Sequence, residues 1–527
     1  MYKTLDLFAG AGGLSLGFIK TGMFEIVAAA EINKDAQKTY LFNHENSNIK
    51  MIDDVRNCDF ASLAKKLDRI DIIIGGPPCQ GFSNANRQKN HVVSLNNRLV
   101  KEYFRAIAEI KPLAFVMENV GMLASDTHRF YDSNIDHDKV IEMKIQMRDD
   151  QIQIAKTDYE GIDLLRVIKD NETSEYKIPN AIFQLLNVLY KNTKNEKRLK
   201  KYIEKNRTKI VKCIDELFDN KAEKICQFTA KRFKIILEGL KENHDTKEYF
   251  IELKEVVELQ KSLNVYQELR DNQLRYELEY ASDEGEIIAN VKSYAVNDYI
   301  ESILGDEYSQ KGETINSLWY GVPQERKRHI VLGIRKDLVK GDVYTPKQPE
   351  QFKIITVGDA IFDLQIYQPS FSVEHEVIQL DEKQKSLSEY AKSMRNSEVL
   401  HNHIITKSTE RALERFEALK EGDNFHKLDD RLKSTYSDPK RTQNTIYLRL
   451  NSDQPSGTVV NVRKSMWIHP KINRAISVRE AARLQSFPDN FIFYGAKDSQ
   501  YQQVGNAVPP LMAEGIAKCL LEQLVNK

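Results

Sequence analysis

Residues 3–18 read KTLDLFAGAGGLSLGF. Lys3 to Phe8 has the look of a short strand, which runs through Ala9-Gly10-Ala11-Gly12-Gly13 into apolar positions Leu14, Leu16 and Phe18 at helical spacing. Strand, glycine turn and helix follow one another within sixteen residues. Outward from this unit the pattern repeats. Glu25 to Ala30 reads as a buried strand and Lys34 to Phe42 as a helix. Apolar runs at Ile70 to Ile74 and Leu113 to Met117 flank a helical pattern at Val100 to Ile110. Such alternation predicts an α/β fold built on a parallel, doubly wound sheet, with ligands at the carboxyl ends of the strands.

The chain has 527 residues, enough for two or three cores, with 41% hydrophobic and 29% charged residues. Lys plus Arg and Asp plus Glu both total 77, so any surface for a polyanion must be local. Five cysteines (Cys58, Cys79, Cys213, Cys226, Cys519) show no paired metal spacing and are odd in number, which fits a reducing cytoplasm and no metal. No basic leader opens the sequence and nowhere do 18 apolar residues run together, so neither secretion nor membrane insertion is expected.

Between Tyr131 and Gln310 the composition turns to Lys, Glu and Asn, and no proline lies between Pro179 and Pro323. Ile182, Leu185, Leu186 and Leu189, then Ile210, Ile214 and Leu217, then Val256, Leu259 and Leu263 keep helical spacing, which predicts an inserted helical bundle. A strand at His329 to Ile334 and a short helix at Thr356 to Leu364 resume the alternation. Residues 365–465 are polar and loop-rich, and helices are expected at Val478 to Leu484 and Leu511 to Leu524. The predicted division is 1–130, 311–364 and 466–527 for one interrupted catalytic domain, 131–310 for the helical insertion, and 365–465 for a smaller domain.

Chemistry-bearing residues gather at the predicted strand ends. Gly10, Gly12 and Gly13 allow close approach of backbone to a ligand. Ser15 stands where a dinucleotide fingerprint would have its third glycine, which argues against a nucleotide diphosphate. Glu31, 19 positions beyond Gly12, is placed for ribose hydroxyls, and Asp53 and Asp54 end the third strand. Gly75-Gly76-Pro77-Pro78-Cys79-Gln80-Gly81-Phe82-Ser83 displays one thiol at a strand end with little side chain around to bury it, the setting of a nucleophile. Glu118 follows another apolar strand. Arg326 and Arg328 alternate along an extended segment, so both can face one site.

Together these residues resemble the DNA cytosine-5 methyltransferase family. Asp6 to Gly13 is similar to its cofactor loop, Pro77-Pro78-Cys79-Gln80 to its nucleophile motif and Glu118-Asn119-Val120 to its acid motif. Gln324-Glu325-Arg326-Lys327-Arg328, Arg479 to Pro488 and Gln503 to Pro510 match the remaining signatures in the family's order. The resemblance implies a Rossmann-like S-adenosyl-L-methionine-dependent sheet with a target-recognition domain at 365–465. Phe8 would stack on adenine, Ala11 and Gly13 would hold the methionine carboxylate, Glu31 would bind the ribose, and Ile32 would belong to the same cofactor site. Asp54 and Val55 would read the adenine edge, with Pro78, Leu99, Asn506 and Val508 lining the remainder.

Cys79 would attack carbon 6 of a cytosine, Glu118 would hold N3 and the exocyclic amine, and Arg326 and Arg328 would fix the base and keep the thiol ionised. Because that carbon is inaccessible in a stacked duplex, the base must flip out, with Ser83, Arg87 and Thr458 near phosphates. The implied activity is sequence-specific methylation of double-stranded DNA, protecting host DNA in a restriction-modification system, by a monomeric cytoplasmic enzyme. Methylation of tRNA on the same fold is the alternative, and a catalytically silent DNA-binding protein is disfavoured by the intact Cys79, Glu118, Arg326 and Arg328. The 205 residues from 119 to 323 are the departure from the family, which usually has a few tens there. They are expected to form an accessory module, with a partner protein its favoured ligand.

Overall fold

The structure, a computed structural model, describes residues 1–44, 48–78, 95–119, 129–155, 159–167, 173–219, 226–242, 247–281, 286–339, 341–374, 377–381, 384, 387–436 and 439–524. The chain divides into two compact units, one of Met1–Ser83, Arg98–Ser125 and Ile303–Lys527, the other of Asn84–Asn97 and Asp126–Ser302.

The first unit is built on a sheet of seven strands among the described residues: β1 (Tyr2–Leu7), β2 (Phe24–Ala30), β3 (Lys50–Ile52), β4 (Ile72–Gly75), β5 (Ala114–Asn119), β6 (Tyr308–Asn316) and β7 (Lys327–Arg335). Their order is β6-β7-β5-β4-β1-β2-β3. The five strands from β3 to β5 are parallel, and the order reverses direction at β1, so the carboxyl ends of β1 and β4 open a crevice where a ligand can sit. The sheet is not parallel throughout. β7 runs antiparallel to β5, and β6 antiparallel to β7. Only residues 317–326 connect β6 to β7, and a link that short cannot make the crossover that parallel pairing demands.

Apolar runs explain the buried strands: Leu5, Leu7, Ile72, Ile73, Ile74, Phe115, Val116 and Met117 are fully enclosed. Helices α1 (Gly13–Lys20), α2 (Lys34–Asn43), α3 (Phe60–Lys66) and α4 (Leu95–Ile110) follow the first strands. Asn33 caps α2 by accepting from the Ala36 N–H at 3.1 Å. Later helices include α5 (Val357–Ile361), α6 (Val478–Leu484), α7 (Lys497–Asn506) and α8 (Pro510–Gln523). The short helix expected from Thr356 to Leu364 is α5 continued by a 3₁₀ turn at Phe362–Leu364, started by a capping box between Thr356 and Asp359. A separate small core of Ala412, Phe416, Phe425, Leu432 and Tyr447 holds part of the 365–465 segment together.

Among the described residues the second unit holds four long helices, Asn180–Asn192, Glu196–Asp219, Gln227–Lys241 and Lys247–Asp271, which bury Ile182, Leu186, Leu189, Ile210, Ile214, Leu217 and Val256 in one core. It is not helical throughout. Glu286–Ala295 is a central strand that pairs antiparallel with Arg129–Tyr131, Arg148–Ala155 and Tyr276–Ala281. Ile152, Ile154, Ile287, Ala289 and Val291 face its core at strand period, an alternation hidden among charged neighbours. Leu259 and Leu263, on the second half of Lys247–Asp271, belong to this other core.

Candidate active site

The loop after β1 is folded around two collisions that a side chain would cause. A Cβ at Gly12, whose φ is +95°, would lie 2.2 Å from the His44 ring, and one at Gly13 would lie 2.3 Å from the carbonyl of Val508. The glycines therefore let the loop run between α2 and the start of α8. Around Gly10, at φ +55°, the space is open. Phe8 itself sits at φ 60°, a left-handed conformation that costs a non-glycine residue about 1–3 kcal/mol and is held by its surroundings.

Glu31 leaves the end of β2 and is fixed by two backbone donors, Gly10 N–H to Oε2 at 2.9 Å and Asn33 N–H to Oε1 at 2.7 Å. Each oxygen keeps a second lone pair for a ligand hydroxyl. Asp53 accepts from Lys34 at 2.6 Å and Gln37 at 2.8 Å. Asp54 caps the turn at Val55–Asn57 and is forked by Arg56, whose hydrogen bonds hold its carboxyl below the usual range. Val55 is buried, Pro78 and Leu99 are half-buried, Val508 is 8% exposed, Ile32 is 67% exposed and Asn506 is exposed, accepting from Gln502 at 2.7 Å.

Behind the loop lies a buried group that the sequence reading did not single out. Ser15 donates to Asp6 Oδ2 at 2.6 Å and shares a 2.7 Å hydrogen bond with the Tyr40 hydroxyl, while Asp6 Oδ1 has no partner among the described residues. The serine in place of a third glycine is thus the residue that ties α1 to β1. Its signal was an acid between two leucines, Leu5 and Leu7, on the first strand. Burial pushes the Asp6 carboxyl up from 3.8 to about 7.

Asp6 binds its proton more tightly folded than unfolded, so stability falls as pH rises from about 4 to about 7, and the cost is complete above that. Asp6→Asn, neutral at every pH, should remove that slope. Between pH 5 and pH 8 it should lose roughly 2–3 kcal/mol less stability than the unaltered chain, at about 1.4 kcal/mol per pKa unit. Urea midpoints at the two pH values check this, and parallel losses in both proteins would refute it.

The second cluster forms where β4, β5 and β7 meet. Ile330 lies opposite Glu118, so Arg328 is its diagonal neighbour on the same face. Arg328 Nε stands 2.7 Å from Glu118 Oε1, both side chains mostly buried. From the other side Gly76 makes room: a Cβ there would lie 2.8 Å from Glu118 Oε2. Asn119 donates to the Pro77 carbonyl at 3.2 Å and so fastens the approach to the nucleophile motif. Cys79, Ser83 and Arg87 lie outside the described residues.

Arg326 shares the neighbourhood but not the pair. Its Nη1 donates to the carbonyls of Val459 and Gly505, each at 3.1 Å, and its Nε has no partner among the described residues. Burial and the charge of Arg328 push its guanidinium down to about 9, against the pull of Glu118. Gln324, also buried, accepts from Val459 N–H at 2.6 Å and donates to Gln485 at 2.8 Å. Thr458 donates to the Glu325 carbonyl at 2.9 Å. The arginine segment is therefore stitched to residues 456–459 on one side and α6 on the other.

The signature on α6 is a brace. Arg483, fully buried, binds Asp489 at 2.6 and 2.7 Å, Asp363 at 3.0 and 3.2 Å and the Ala360 carbonyl at 3.1 Å. Arg479 donates to the carbonyls of His401 and Pro488 at 2.8 Å, and Arg474 pairs with Glu480 at 2.6 Å. Arg483→Ala would leave the buried Asp489 without its cation and Asp363 with Arg395 alone, 2.9 Å away. It should cost roughly 3–5 kcal/mol, the usual result of removing one partner from a buried ionic set. Chemical denaturation reads this directly, and a loss below about 1 kcal/mol would show the brace to be dispensable.

The sequence model of the C-5 cytosine-specific DNA methylase family matches residues 2–149 and 285–522, leaving 150–284 outside it. The chain is 24% identical to the type II methyltransferase M.DdeI of Desulfomicrobium norvegicum, over 98% of this chain and 87% of that protein. It is 26% identical to M.ApeKI of Aeropyrum pernix, a DNA (cytosine-5-)-methyltransferase, over 99% of both. Among solved structures, one described as a prophage-encoded DNA modification methyltransferase of Escherichia coli shares the fold, with a TM-score of 0.54, 19% identity and 99% of each chain covered.

Proposed function

The chain belongs to the C-5 cytosine-specific DNA methylase family, whose methyl donor is S-adenosyl-L-methionine, and from that premise we propose sequence-specific methylation of duplex DNA through a covalent Cys79 adduct. The observation that carries the reading is the Glu118–Arg328 pair, 2.7 Å apart, set over Gly76 at the head of Pro77-Pro78-Cys79. The type II methyltransferases among its relatives support a place in a restriction-modification system, protecting host DNA in the cytoplasm. Among the described residues no helix is long and apolar enough to cross a membrane. The matched family is one of DNA enzymes, so the tRNA alternative is set aside.

The residues present fit the cofactor. The loop's backbone is kept bare of side chains at Gly10, and Glu31 presents an oriented carboxylate beside it. Ala11 and Gly13 would hold the methionine end, Glu31 and Ile32 the ribose, Phe8, Asp54 and Val55 the adenine, and Pro78, Leu99, Asn506 and Val508 the walls. When bound, the cofactor supplies an electrophilic methyl group on a sulfonium sulfur.

The chain's own residues do the remainder. The Cys79 thiolate adds to carbon 6 of the flipped cytosine, forming a C–S bond and moving the ring's electron pair so that carbon 5 becomes nucleophilic. Glu118 holds N3 and the exocyclic amine, and Arg328 holds Glu118. Once carbon 5 carries the methyl group, loss of its proton returns the electron pair and expels the thiolate. Arg326 would stabilise the base by its charge, and Ser83, Arg87 and Thr458 would meet phosphates. Residues 365–465 would read the sequence.

Incubation of diverse duplex oligonucleotides and of tRNA with labelled cofactor tests the reading. Label should appear as 5-methylcytosine in duplex DNA alone. Label in tRNA only, or at an exocyclic amine, would overturn it.

A further inference from the structure

The helix Glu196–Asp219 carries a row of lysines that nothing in the methylation site uses. Lys197, Lys201, Lys205 and Lys209 are four residues apart, so they stand one above another on one exposed face, while Leu199, Ile203, Ile210 and Ile214 turn into the unit's core. We propose that this row is a second, sequence-independent contact to duplex DNA, made to the phosphate backbone. The proposal rests on DNA being the substrate.

The stretch is dense in positive charge. Residues 194–212 hold nine cationic side chains against two acidic ones, in a chain of net charge zero. At 1.5 Å rise per residue the row spans about 18 Å, a length over which duplex DNA presents roughly ten phosphate charges.

The row also works against its own helix. Like charges four residues apart repel, and cations in the first turns with Glu216 and Asp219 in the last oppose the helix dipole. Neighbouring cations are compensated: Lys200 pairs with Glu196 at 2.9 Å, Lys212 with Glu216 at 3.6 Å and Lys241 with Asp215 at 3.2 Å. Among the described residues, none of the four row lysines has an ion-pair partner. Helix stability therefore does not account for them, whereas a polyanion would turn the repulsion into attraction.

The kind of partner follows from the side chains. Lysine is depleted in protein–protein interfaces, which favour aromatic residues, and the row's exposed neighbours Lys194, Arg198 and Thr208 add no apolar anchor. Long, mobile point charges suit phosphates at variable positions. The helix lies in residues 150–284, outside the family match, so this grip would be an addition to the family's own DNA contacts.

The test uses the full-length protein and a random duplex of about 40 base pairs, with affinity measured against salt by fluorescence anisotropy. Each lost phosphate contact removes about 0.9 from the slope of log affinity on log salt. Changing Lys197, Lys201, Lys205 and Lys209 together to Gln should make that slope shallower by roughly 2–4 and weaken binding at low salt at least ten-fold. The matching Arg variant should keep both. Because Gln is as good a helix former as Lys, a thermal melt should not fall.

Independently of any variant, duplex should shield the four lysines of the unaltered protein from acetylation. An unchanged slope, or equal acetylation with and without DNA, overturns the proposal even if an acidic protein is later found on this face. Should the unaltered protein neither bind duplex nor methylate it, the DNA reading itself falls, an outcome distinct from methylation that proceeds with no role for the row.

Discussion

Cys79→Ala should bind cofactor and duplex and transfer no methyl group, a loss in turnover on the order of 10⁴–10⁶, the scale seen when a covalent nucleophile is removed from an enzyme that depends on it. The chemistry explains the size. Carbon 5 of cytosine lies in a conjugated ring and has little nucleophilicity of its own. Only addition at carbon 6 makes it electron-rich, and Cys79 is the cysteine within the Pro-Pro-Cys-Gln motif; Cys519, by contrast, is buried on α8 with its thiol pushed up to about 11. Single-turnover assays with labelled cofactor measure the loss. A 5-fluorocytosine duplex adds a second readout, because fluorine cannot leave as a proton does. The unaltered enzyme should be trapped as a denaturation-resistant complex, and Cys79→Ala should not. Residual turnover above about one per cent, or trapping by the Ala variant, would exclude the covalent route.

How far the sequence alone carried this picture depends on the kind of signal. β1, the glycine turn and α1 were legible because an apolar run, a cluster of glycines and a helical apolar spacing sit within residues 3–18. The long helices of the second unit were legible for the same reason. β6 was not: Tyr308–Asn316 is an edge strand whose middle residues are exposed and polar, so no alternation marks it, and the expected boundary at residue 310 falls inside it. The antiparallel turn of the sheet was hidden with it.

Side-chain partnership was less legible than element placement. Alternation predicted that Arg326 and Arg328 face one site, but spacing could not say that Arg328 would take Glu118 while Arg326 would be spent on two backbone carbonyls. Nor could it say that Asp54 would be forked by Arg56, two residues on. Such pairings depend on which strands become neighbours, and that is decided by the whole chain. The motif on α6 shows the converse: a resemblance flagged it as a signature, and only the structure explains it, as a buried ionic brace rather than as chemistry.

Glu118→Gln should retain the fold and cofactor affinity while turnover drops by roughly 10²–10⁴, the range for losing a positioned acid–base group. Arg328 orients the carboxylate. In the present geometry its Nε lies 2.7 Å from one Glu118 oxygen, and the other oxygen lies over Gly76. A carboxyl there can accept from the exocyclic amine with one oxygen and share a proton with ring N3 at the other. As the thiolate adds to carbon 6, negative charge develops toward N3, and a group that supplies a proton there lowers the barrier more than it tightens binding. Gln keeps the shape and the hydrogen bond to the amine but has no acidic proton to give. The loss should therefore fall on turnover, with substrate affinity changed less than about ten-fold. Glu118→Asp, which retains the carboxyl but shortens the reach, should recover part of the rate only if proton supply matters. Equal losses in the Gln and Asp variants would reduce Glu118 to a steric support. A loss confined to DNA affinity would assign it to base binding alone.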